Sequence, residues 1–289
     1  MKQETRVPED FIVPLNINGL EGRMLRIPCQ KKKAGEILFV YGQHSSLERW
    51  WGVTLELSKI GKQPTIDNMA DYLATFIKLK YRNKKVSIVG MSLGFVVVTR
   101  MLQKYPELTK KINLLASIVG FAHKSDLTFS KKRMFFYRNL SRLFSYRWTS
   151  FIFRYTALQP FVLRAAYHRT NNAKEKFNQM SGEEFDKTME AEVELWRIND
   201  IQTQFKNYLE LFALDNTKVQ VNLPVHHVAT KKDRYFNNVR VEEHLRRIYT
   251  DYIVYYTKVP NHAPTVIGTA KEAAPYIPPE LRRIINRQK

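Results

Sequence analysis

Hydrophobic residues along this chain follow two patterns, short continuous runs and longer stretches with helical spacing. The short runs are residues 37–40, which are all apolar, and residues 86–89 and 112–121, which are mainly apolar. Such runs are typical of strands that are covered on both faces of a parallel sheet. The helically spaced stretches are residues 48–57, 67–81 and 95–105. Alternation of strands and helices predicts a mostly parallel sheet with right-handed crossovers.

Two flanking regions extend this pattern. Near the amino terminus, residues 11–17 and 24–28 are predicted to form a hairpin, because Asn18-Gly19 between them is a strong turn signal. Toward the carboxyl terminus strands and helices alternate again: a strand over 224–229, a helix over 239–249, a strand over 252–256 and a helix over 279–287. The sheet is therefore expected to resume after residue 217.

The middle of the chain, residues 124–216, shows helical spacing and no strand pattern. Apolar residues at helical spacing, a proline suited to a helix start and a serine-led capping box mark predicted helices around Phe136, Pro160, Ser181 and Ile201. A helical block between two sheet strands is typical of an insertion over the strand ends. We therefore expect an α/β core from residues 1–123 and 217–289, with an all-helical cap from residues 124–216.

Composition agrees with one large α/β domain that carries an insertion. The chain has 289 residues and is 44% hydrophobic, enough to bury a full core. The single cysteine, Cys29, excludes an internal disulfide and an all-cysteine metal site. No apolar run approaches the ~20 residues of a membrane span. The polar amino terminus lacks a signal-peptide pattern, so a cytoplasmic location is expected.

The formal net charge of +20 would attract an anionic surface or an anionic substrate. No nucleic-acid-binding motif accompanies the charge, so a nucleic-acid partner is not expected. The charge can equally reflect a lysine-rich proteome. It therefore does not identify a partner by itself, and the sequence leaves the oligomeric state open.

The pentapeptide Gly90-Met91-Ser92-Leu93-Gly94 lies between a predicted strand and a predicted helix. In a strand-to-helix turn of this kind the central residue is strained, and flanking glycines avoid collision with the neighbouring strand or helix. The turn would raise the Ser92 hydroxyl out of the backbone and direct the first N–H groups of the helix toward the group it attacks. The alternative is a glycine-rich turn with an incidental serine.

A serine hydroxyl is a poor nucleophile until a base removes its proton, and that base needs an acid to orient it. Two downstream residues occupy matching positions. Asp233 follows the predicted strand 224–229, and His262 follows the predicted strand 252–256. Functional loops of open α/β sheets lie at the carboxyl ends of the strands. Ser92, Asp233 and His262 are therefore predicted to converge there.

In its serine turn, its Ser, Asp, His order and its post-strand loops, the chain resembles the α/β-hydrolase superfamily from about residue 11 to the end. The resemblance implies that Ser92 is the nucleophile, Asp233 the orienting acid and His262 the general base and then acid. It also implies an oxyanion hole from the backbone N–H groups of Leu93 and Gln43. No metal or organic cofactor is required for such chemistry.

Two features depart from the pattern of these relatives. Many of them have histidine before the glycine of the oxyanion loop, where this chain has Tyr41. The backbone supplies the donor, so only the loop packing is expected to change. Relatives also have a strand and an Asp-x-Pro-Gly-like loop before the second helix, for which residues 57–65 are too short. Either the sheet has a gap or a new pairing there, or the sequence omits a stretch.

Other polar residues compete for a role in the site. Asp126 follows the strand 112–121 and is a rival position for the acid, as in some relatives. His226-His227 suggests a metal, but neighbouring strand residues face opposite ways, so a buried structural role is expected and no metal site. Three residues near the loop and the turn are candidate substrate contacts: His44, Met91 and Trp50.

The segment from residue 124 to 169 combines many basic and aromatic side chains with a single acid, Asp126. A basic amphipathic segment rich in Phe and Trp can lie on an anionic membrane, which would make the protein peripheral to that membrane. The sequence favours the alternative, a cap whose aromatic side covers a pocket while its basic side faces water. The same basic residues could instead select an anionic acyl substrate.

These features predict a serine hydrolase that cleaves a carboxylic ester, with a small-molecule acyl substrate whose chain is apolar. Thioesterases, carbon–carbon bond hydrolases and acyltransferases use the same triad, and the fold does not choose among these reactions. A protein of the same fold without activity, which binds lipid or an anionic surface through the cap, is a further alternative. The complete Ser, Asp, His set argues against it.

Overall fold

The computed structural model describes residues 12–17, 20–25, 36–40, 65–169, 189–190, 193, 196, 200–231, 233–257, 262 and 274–287. The strands are β1 (Ile12–Ile17), β2 (Leu20–Leu25), β3 (Ile37–Val40), β4 (Val86–Met91), β5 (Ile112–Ile118), β6 (Val221–Thr230) and β7 (Tyr249–Thr257). The helices are α1 (Ile66–Lys80), α2 (Leu93–Lys104), α3 (Lys131–Phe144), α4 (Arg147–Thr156), α5 (Pro160–Arg169), α6 (Ile201–Ala213), α7 (Asn238–Ile248) and α8 (Pro279–Arg287). Short 3₁₀ helices cover Pro106–Lys111, Lys124–Asp126 and Ala274–Tyr276.

Five parallel strands form the central sheet in the order β3-β4-β5-β6-β7. Their register brings the carboxyl ends to one edge, because Met91 pairs with Ile118 and Thr230 pairs with Thr257. Helices connect the strands, so the predicted α/β class with a mostly parallel sheet is confirmed. The loops that follow β4, β6 and β7 therefore start side by side.

The amino-terminal hairpin is a separate two-stranded sheet within the described part of the chain. Its strands are antiparallel, and Ile17 pairs with Leu20, so β2 begins directly after Asn18-Gly19. The predicted start at residue 24 was four residues too late. Polar residues near the turn interrupt the hydrophobic pattern, but the tight turn allows strand pairing to begin at Leu20. Residues 41–64, with the predicted helix 48–57 and most of the short segment 57–65, lie outside the described residues.

The sheet is covered on both faces because successive strand residues point to opposite sides. Ile88 of β4 joins a large apolar cluster with α1, α2 and α7, whereas the next residue, Val89, joins a smaller cluster that includes Leu281 of α8. The strands are accordingly apolar on both faces, as continuous hydrophobic runs predict. β5 ends at Ile118, three residues before the predicted end, because the following residue adopts a left-handed conformation.

The chain between β5 and β6 includes helices α3 to α6, and the start of the helix predicted near Ser181 lies outside the described residues. Helix α4 was not predicted as a separate helix. The two ends of this insertion pair with each other: His123 bridges Asp215, and the N–H of Lys124 donates to the carbonyl of Leu214 at 3.0 Å. The insertion therefore leaves and re-enters the core at one point. A distinct cap domain over residues 124–216 stays a prediction.

The returning end of the insertion is bonded to α2. Arg100 donates from Nε and Nη2 to the Asn216 side-chain oxygen at 3.0 and 2.7 Å, and Gln103 donates to the Asn216 carbonyl at 2.6 Å. Asn216 is 1% exposed. In addition, Glu210 of α6 accepts the N–H of Ile66 at the start of α1 at 2.5 Å. The insertion is thus fixed to the helix that follows the serine turn.

No described helix is both long enough and apolar enough to span a lipid bilayer. The two adjacent histidines of β6 point to different partners: His226 Nδ1 hydrogen bonds with the Tyr255 hydroxyl, and His227 Nδ1 with the Ser117 hydroxyl, each at 2.9 Å. The described residues contain no group of three or more side chains placed to hold a metal ion. His227 is 2% exposed, so it lies in the interior of the sheet.

Burial makes His227 an acid-sensitive position. Removal of water from the imidazolium lowers the pKa of His227 from 6.5 to about 4, although the charge of Asp233 opposes this. Below pH 6.5 the unfolded chain therefore binds a proton that the folded chain excludes. We expect this group alone to reduce the free energy of unfolding by about 3 kcal/mol between pH ~7 and pH ~4.

Urea unfolding over this pH range tests the expectation. His227→Asn can still accept a hydrogen bond from Ser117 but takes up no proton, so its stability should fall less on acidification than that of the wild type. His226→Asn is the comparison variant: burial also lowers the pKa of His226, but this position is only half-buried, so the pH dependence should change less than in His227→Asn. Equal pH dependence of His227→Asn and wild type would contradict the assignment.

Candidate active site

Ser92 lies between β4 and α2 in a strained conformation, with φ 49° and ψ −120°. Positive φ is uncommon for a residue with a side chain, and it persists only where the surroundings hold it. Two contacts do so. The Ser92 N–H donates to the carbonyl of Ile118 at 3.0 Å, and a Cβ on Gly90 would lie 2.7 Å from Cα of Phe95. Only glycine fits at position 90, and the turn carries Ser92 at its tip.

Three side chains from three strand ends contact one another here. His262 Nε2 lies 3.1 Å from Ser92 Oγ, and His262 Nδ1 lies 2.7 Å from Asp233 Oδ2. Ser92 follows β4, Asp233 follows β6, and His262 follows β7. The structure therefore brings together the hydroxyl, imidazole and carboxylate that the sequence placed at separate strand ends.

The carboxylate of Asp233 is buried but well supplied with donors. Its side chain is 3% exposed, and Oδ1 accepts the N–H groups of Tyr235 and Phe236 at 2.8 and 3.1 Å. Burial by itself raises the pKa of Asp233, but the hydrogen bond from His262 and those from the two backbone donors outweigh it, so the pKa lies below its usual value. Asp233 is therefore ionised at neutral pH.

The charge of Asp233 fixes which nitrogen of His262 carries the proton. An ionised carboxylate can only accept, so neutral His262 donates from Nδ1 to Asp233. The Nε2 lone pair then faces the hydroxyl of Ser92, which can donate to it. In this tautomer the imidazole is placed to accept a proton from Ser92.

The two residues that support Asp233 also enclose the imidazole of His262. The ring of Tyr235 meets it edge-on at 5.4 Å, and the ring of Phe236 lies 5.1 Å away. Phe236 in turn stacks on Phe121 at 4.3 Å. Sequence reasoning missed both residues. The available signal was an aspartate with aromatic residues at the second and third positions after it, since Asp side chains often accept the N–H two residues ahead.

Asp126, the rival position for the acid, has a different partner. Its Oδ2 accepts the N–H groups of Ala122 and His123, both at 2.9 Å, and its Oδ1 hydrogen bonds with Nδ1 of His244 on α7 at 2.5 Å. Its side chain is fully buried. The structure thus joins Asp126 to His244 and joins Asp233 to His262.

The segment that contains Asp126 nevertheless holds the loop that follows Asp233, residues 233–237, in place. The N–H of Asn237 donates to the Asp126 carbonyl at 2.7 Å, and the N–H of Thr128 donates to the Tyr235 carbonyl at 2.9 Å. Residues 127 and 236 form an antiparallel bridge between these contacts. His244 packs on His123 with ring centroids 4.8 Å apart, and burial, followed by the charge of His244, lowers the pKa of His123. No pattern in the sequence indicated the contact between His123 and His244.

The remaining predicted site residues have mixed outcomes. Leu93 is the first residue of α2, where a helix leaves its N–H groups without an intrahelical acceptor. Met91 ends β4 partly buried and packs against the smaller apolar cluster, so its contact with substrate stays a prediction. Three predicted residues lie outside the described part of the chain: Gln43, His44 and Trp50.

No protein-family model and no curated protein matches this chain. Solved structures do share its fold. A hydrolase from Oleispira antarctica superposes with a TM-score of 0.58 at 12% identity, over 89% of this chain and 92% of that one. An esterase from Rhodococcus superposes with a TM-score of 0.57 at 13% identity, over 96% of this chain and 100% of that one. A thermophilic esterase from Thermogutta terrifontis superposes with a TM-score of 0.54 at 14% identity, over 95% of this chain and 99% of that one. The chain therefore has the α/β-hydrolase fold, as the sequence resemblance implied.

Proposed function

We propose that this protein is a serine hydrolase that cleaves a carboxylic ester through an acyl-enzyme. The observation that carries the proposal is the unbroken series of contacts from Ser92 Oγ through His262 to Asp233. Each contact lies within hydrogen-bonding distance, and the acid is ionised where the mechanism needs a negative charge. The strained turn at Ser92 supports the same role, because strain of this kind is concentrated at functional residues.

The first half of the reaction transfers the acyl group to the protein. Ser92 Oγ attacks the ester carbonyl carbon while its proton passes to His262 Nε2. The imidazolium that forms is stabilised by the adjacent Asp233 carboxylate. When the tetrahedral intermediate collapses, the bond to the leaving alcohol breaks, and His262 returns the proton to the alkoxide oxygen. An acyl group on Ser92 remains.

The second half removes that acyl group. Water attacks the acyl carbonyl and gives its proton to His262 Nε2. The bond to Ser92 Oγ then breaks, Oγ recovers the proton, and the carboxylic acid departs. In both halves the carbonyl oxygen becomes negative, and the N–H groups of Leu93 and Gln43 are proposed to stabilise it. Loss of one such donor is expected to cost roughly 3 kcal/mol of transition-state stabilisation.

The choice of an ester rests on a coarser argument. Two of the compared structures are named as esterases and one as a hydrolase. At 12–14% identity these proteins share a fold, and a fold hosts several reactions. Hydrolysis of nitrophenyl esters across acyl lengths, beside thioesters of the same acyl groups, tests the choice. Faster turnover of thioesters than of esters would reassign the protein as a thioesterase.

Covalent labelling tests the nucleophile. A fluorophosphonate probe should label the wild type at Ser92, because phosphorus is attacked by an activated hydroxyl, and Ser92→Ala should remain unlabelled. Ser87 is a buried serine of β4, the strand that precedes Ser92, so Ser87→Ala is the matched control and should label like the wild type. A wild type that is folded but unlabelled would remove the enzyme proposal in favour of a binding protein.

A comparison of the two buried aspartates tests the acid. Asp233→Asn replaces the acceptor for Nδ1 of His262 with an amide, which favours the wrong tautomer, and kcat should fall by about 10⁴-fold. Asp126→Asn can still accept the backbone N–H groups and donate to neutral His244, so kcat should change by less than about ten-fold. Steady-state ester hydrolysis with circular dichroism as a folding control measures both. The reverse ranking would assign the acid to Asp126.

A further inference from the structure

Helix α4 carries an apolar stripe on the side that faces solvent. Trp148, Phe151, Ile152 and Tyr155 recur at i, i+3, i+4 and i+7, so they share one face of the helix. Their exposures are 79%, 56%, 59% and 60%. In a helix of a globular protein such a stripe normally faces the core. In this protein the stripe on α4 faces solvent instead of the core.

The inner side of α4 is already occupied. Phe153 packs against Phe144 of α3 and Phe205 of α6, with ring centroids 4.2 and 5.8 Å apart. Ser150, on the same side, is 7% exposed. Gln202 of α6 donates to the carbonyl of Ser145 at 2.9 Å and closes this contact. The outer stripe is therefore not needed to hold α4 on the protein.

The stripe is part of a larger exposed apolar surface. Of the fifteen exposed large hydrophobic side chains in the described residues, nine lie between residues 135 and 161. They are Phe135, Phe136, Leu143, Tyr146, Trp148, Phe151, Ile152, Tyr155 and Phe161. A concentration of this kind marks an interaction site more often than scattered exposure does. We refer to these nine residues as the outer aromatic surface.

Basic residues surround the outer aromatic surface, and the only acid of the segment is hidden. Residues 124–169 contain ten Lys and Arg and one acid, Asp126, which is fully buried against His244. Arg147 and Arg154, two helical turns apart, flank the stripe of α4 on one side. Six basic side chains form no salt bridge within the described part of the chain: Lys131, Lys132, Arg133, Arg138, Arg142 and Arg147.

We propose that the outer aromatic surface and its basic border dock onto an anionic phospholipid membrane. Trp and Tyr favour the level of the headgroups, where the ring is in apolar surroundings and the polar atom meets water. Arg and Lys at the border bind lipid phosphate and carboxylate groups. A helix with an apolar outer stripe and a cationic flank lies in the plane of such an interface.

The chemistry of the surface distinguishes this partner from two others. A second copy of the chain would bring the same uncompensated positive charges against each other. Nucleic acid would satisfy the arginines but offers no apolar environment for Leu143 and Ile152. An anionic bilayer accommodates both the aliphatic and the cationic side chains. The proposal does not depend on the proposed hydrolase function, because it rests on the exposure and charge of α3 and α4.

Vesicle co-sedimentation with the Ser92→Ala protein tests docking without any turnover of lipid. We expect binding to phosphatidylcholine vesicles that contain phosphatidylserine, little binding to phosphatidylcholine alone, and weaker binding at high salt. Arg138→Glu/Arg142→Glu should lower partitioning by at least about 25-fold, since each basic residue near an anionic surface contributes about five-fold and the introduced carboxylates are repelled by the lipid. The control is Arg82→Glu/Lys110→Glu, which makes the same change in net charge at two exposed positions outside this surface. This control should bind the vesicles far more strongly than Arg138→Glu/Arg142→Glu.

Fluorescence of Trp148 tests the orientation of the bound protein. Lipids brominated in the acyl chains should quench wild-type emission, and Trp148→Phe should lose that quenching while it keeps most of the binding. Absence of binding to anionic vesicles at low salt would overturn the proposal, and so would equal loss in both charge-reversal pairs. Dimerisation in solution that Trp148→Ser/Phe151→Ser abolishes would assign the surface to a second copy instead.

Discussion

The strained backbone of Ser92 is the constraint on which the rest of the site depends. The turn is possible because Gly90 lets Phe95 approach to van der Waals contact, and it is held because the Ser92 N–H donates to Ile118. The next residue, Val119, also has positive φ, at 46°, and its N–H donates to Val228 of β6 at 2.8 Å. One short segment after β5 therefore ties the ends of β4 and β6 together. The distance from the serine turn to the acid loop is set by backbone hydrogen bonds.

Backbone groups also determine the chemistry of the acid. A buried carboxylate would normally be protonated more readily, yet the N–H groups of residues 235 and 236 and the imidazole of His262 keep Asp233 ionised. The loop that supplies those N–H groups is paired with residues 126–128, which are themselves held through Asp126 and His244. Two carboxylates with similar burial thus do different work. Asp233 binds the imidazole of His262, and Asp126 helps to hold the loop that carries Asp233.

The sequence predicted the parts of this arrangement that depend on local pattern. Local pattern identified the apolar runs, the glycines around Ser92 and the positions of Asp233 and His262 after strands. The fold follows from these features. The pairing of Asp126 with His244 was not readable, because 118 residues separate the two and no local rule links a loop carboxylate to a helix histidine. The early end of β5 was missed for a similar reason: a left-handed Val119 is imposed by its neighbours and not by valine's own preference.

Helix α4 shows why the same hydrophobic pattern can have opposite meanings. Its apolar residues recur at the spacing that normally identifies a core-facing helix, and nothing in that spacing states which side packs. Burial decides the matter, because Phe153 packs inward while Trp148 is 79% exposed. A helix with two apolar faces needs two apolar environments. The protein supplies one through α3 and α6, and the cationic flank of the other face restricts what can supply the second.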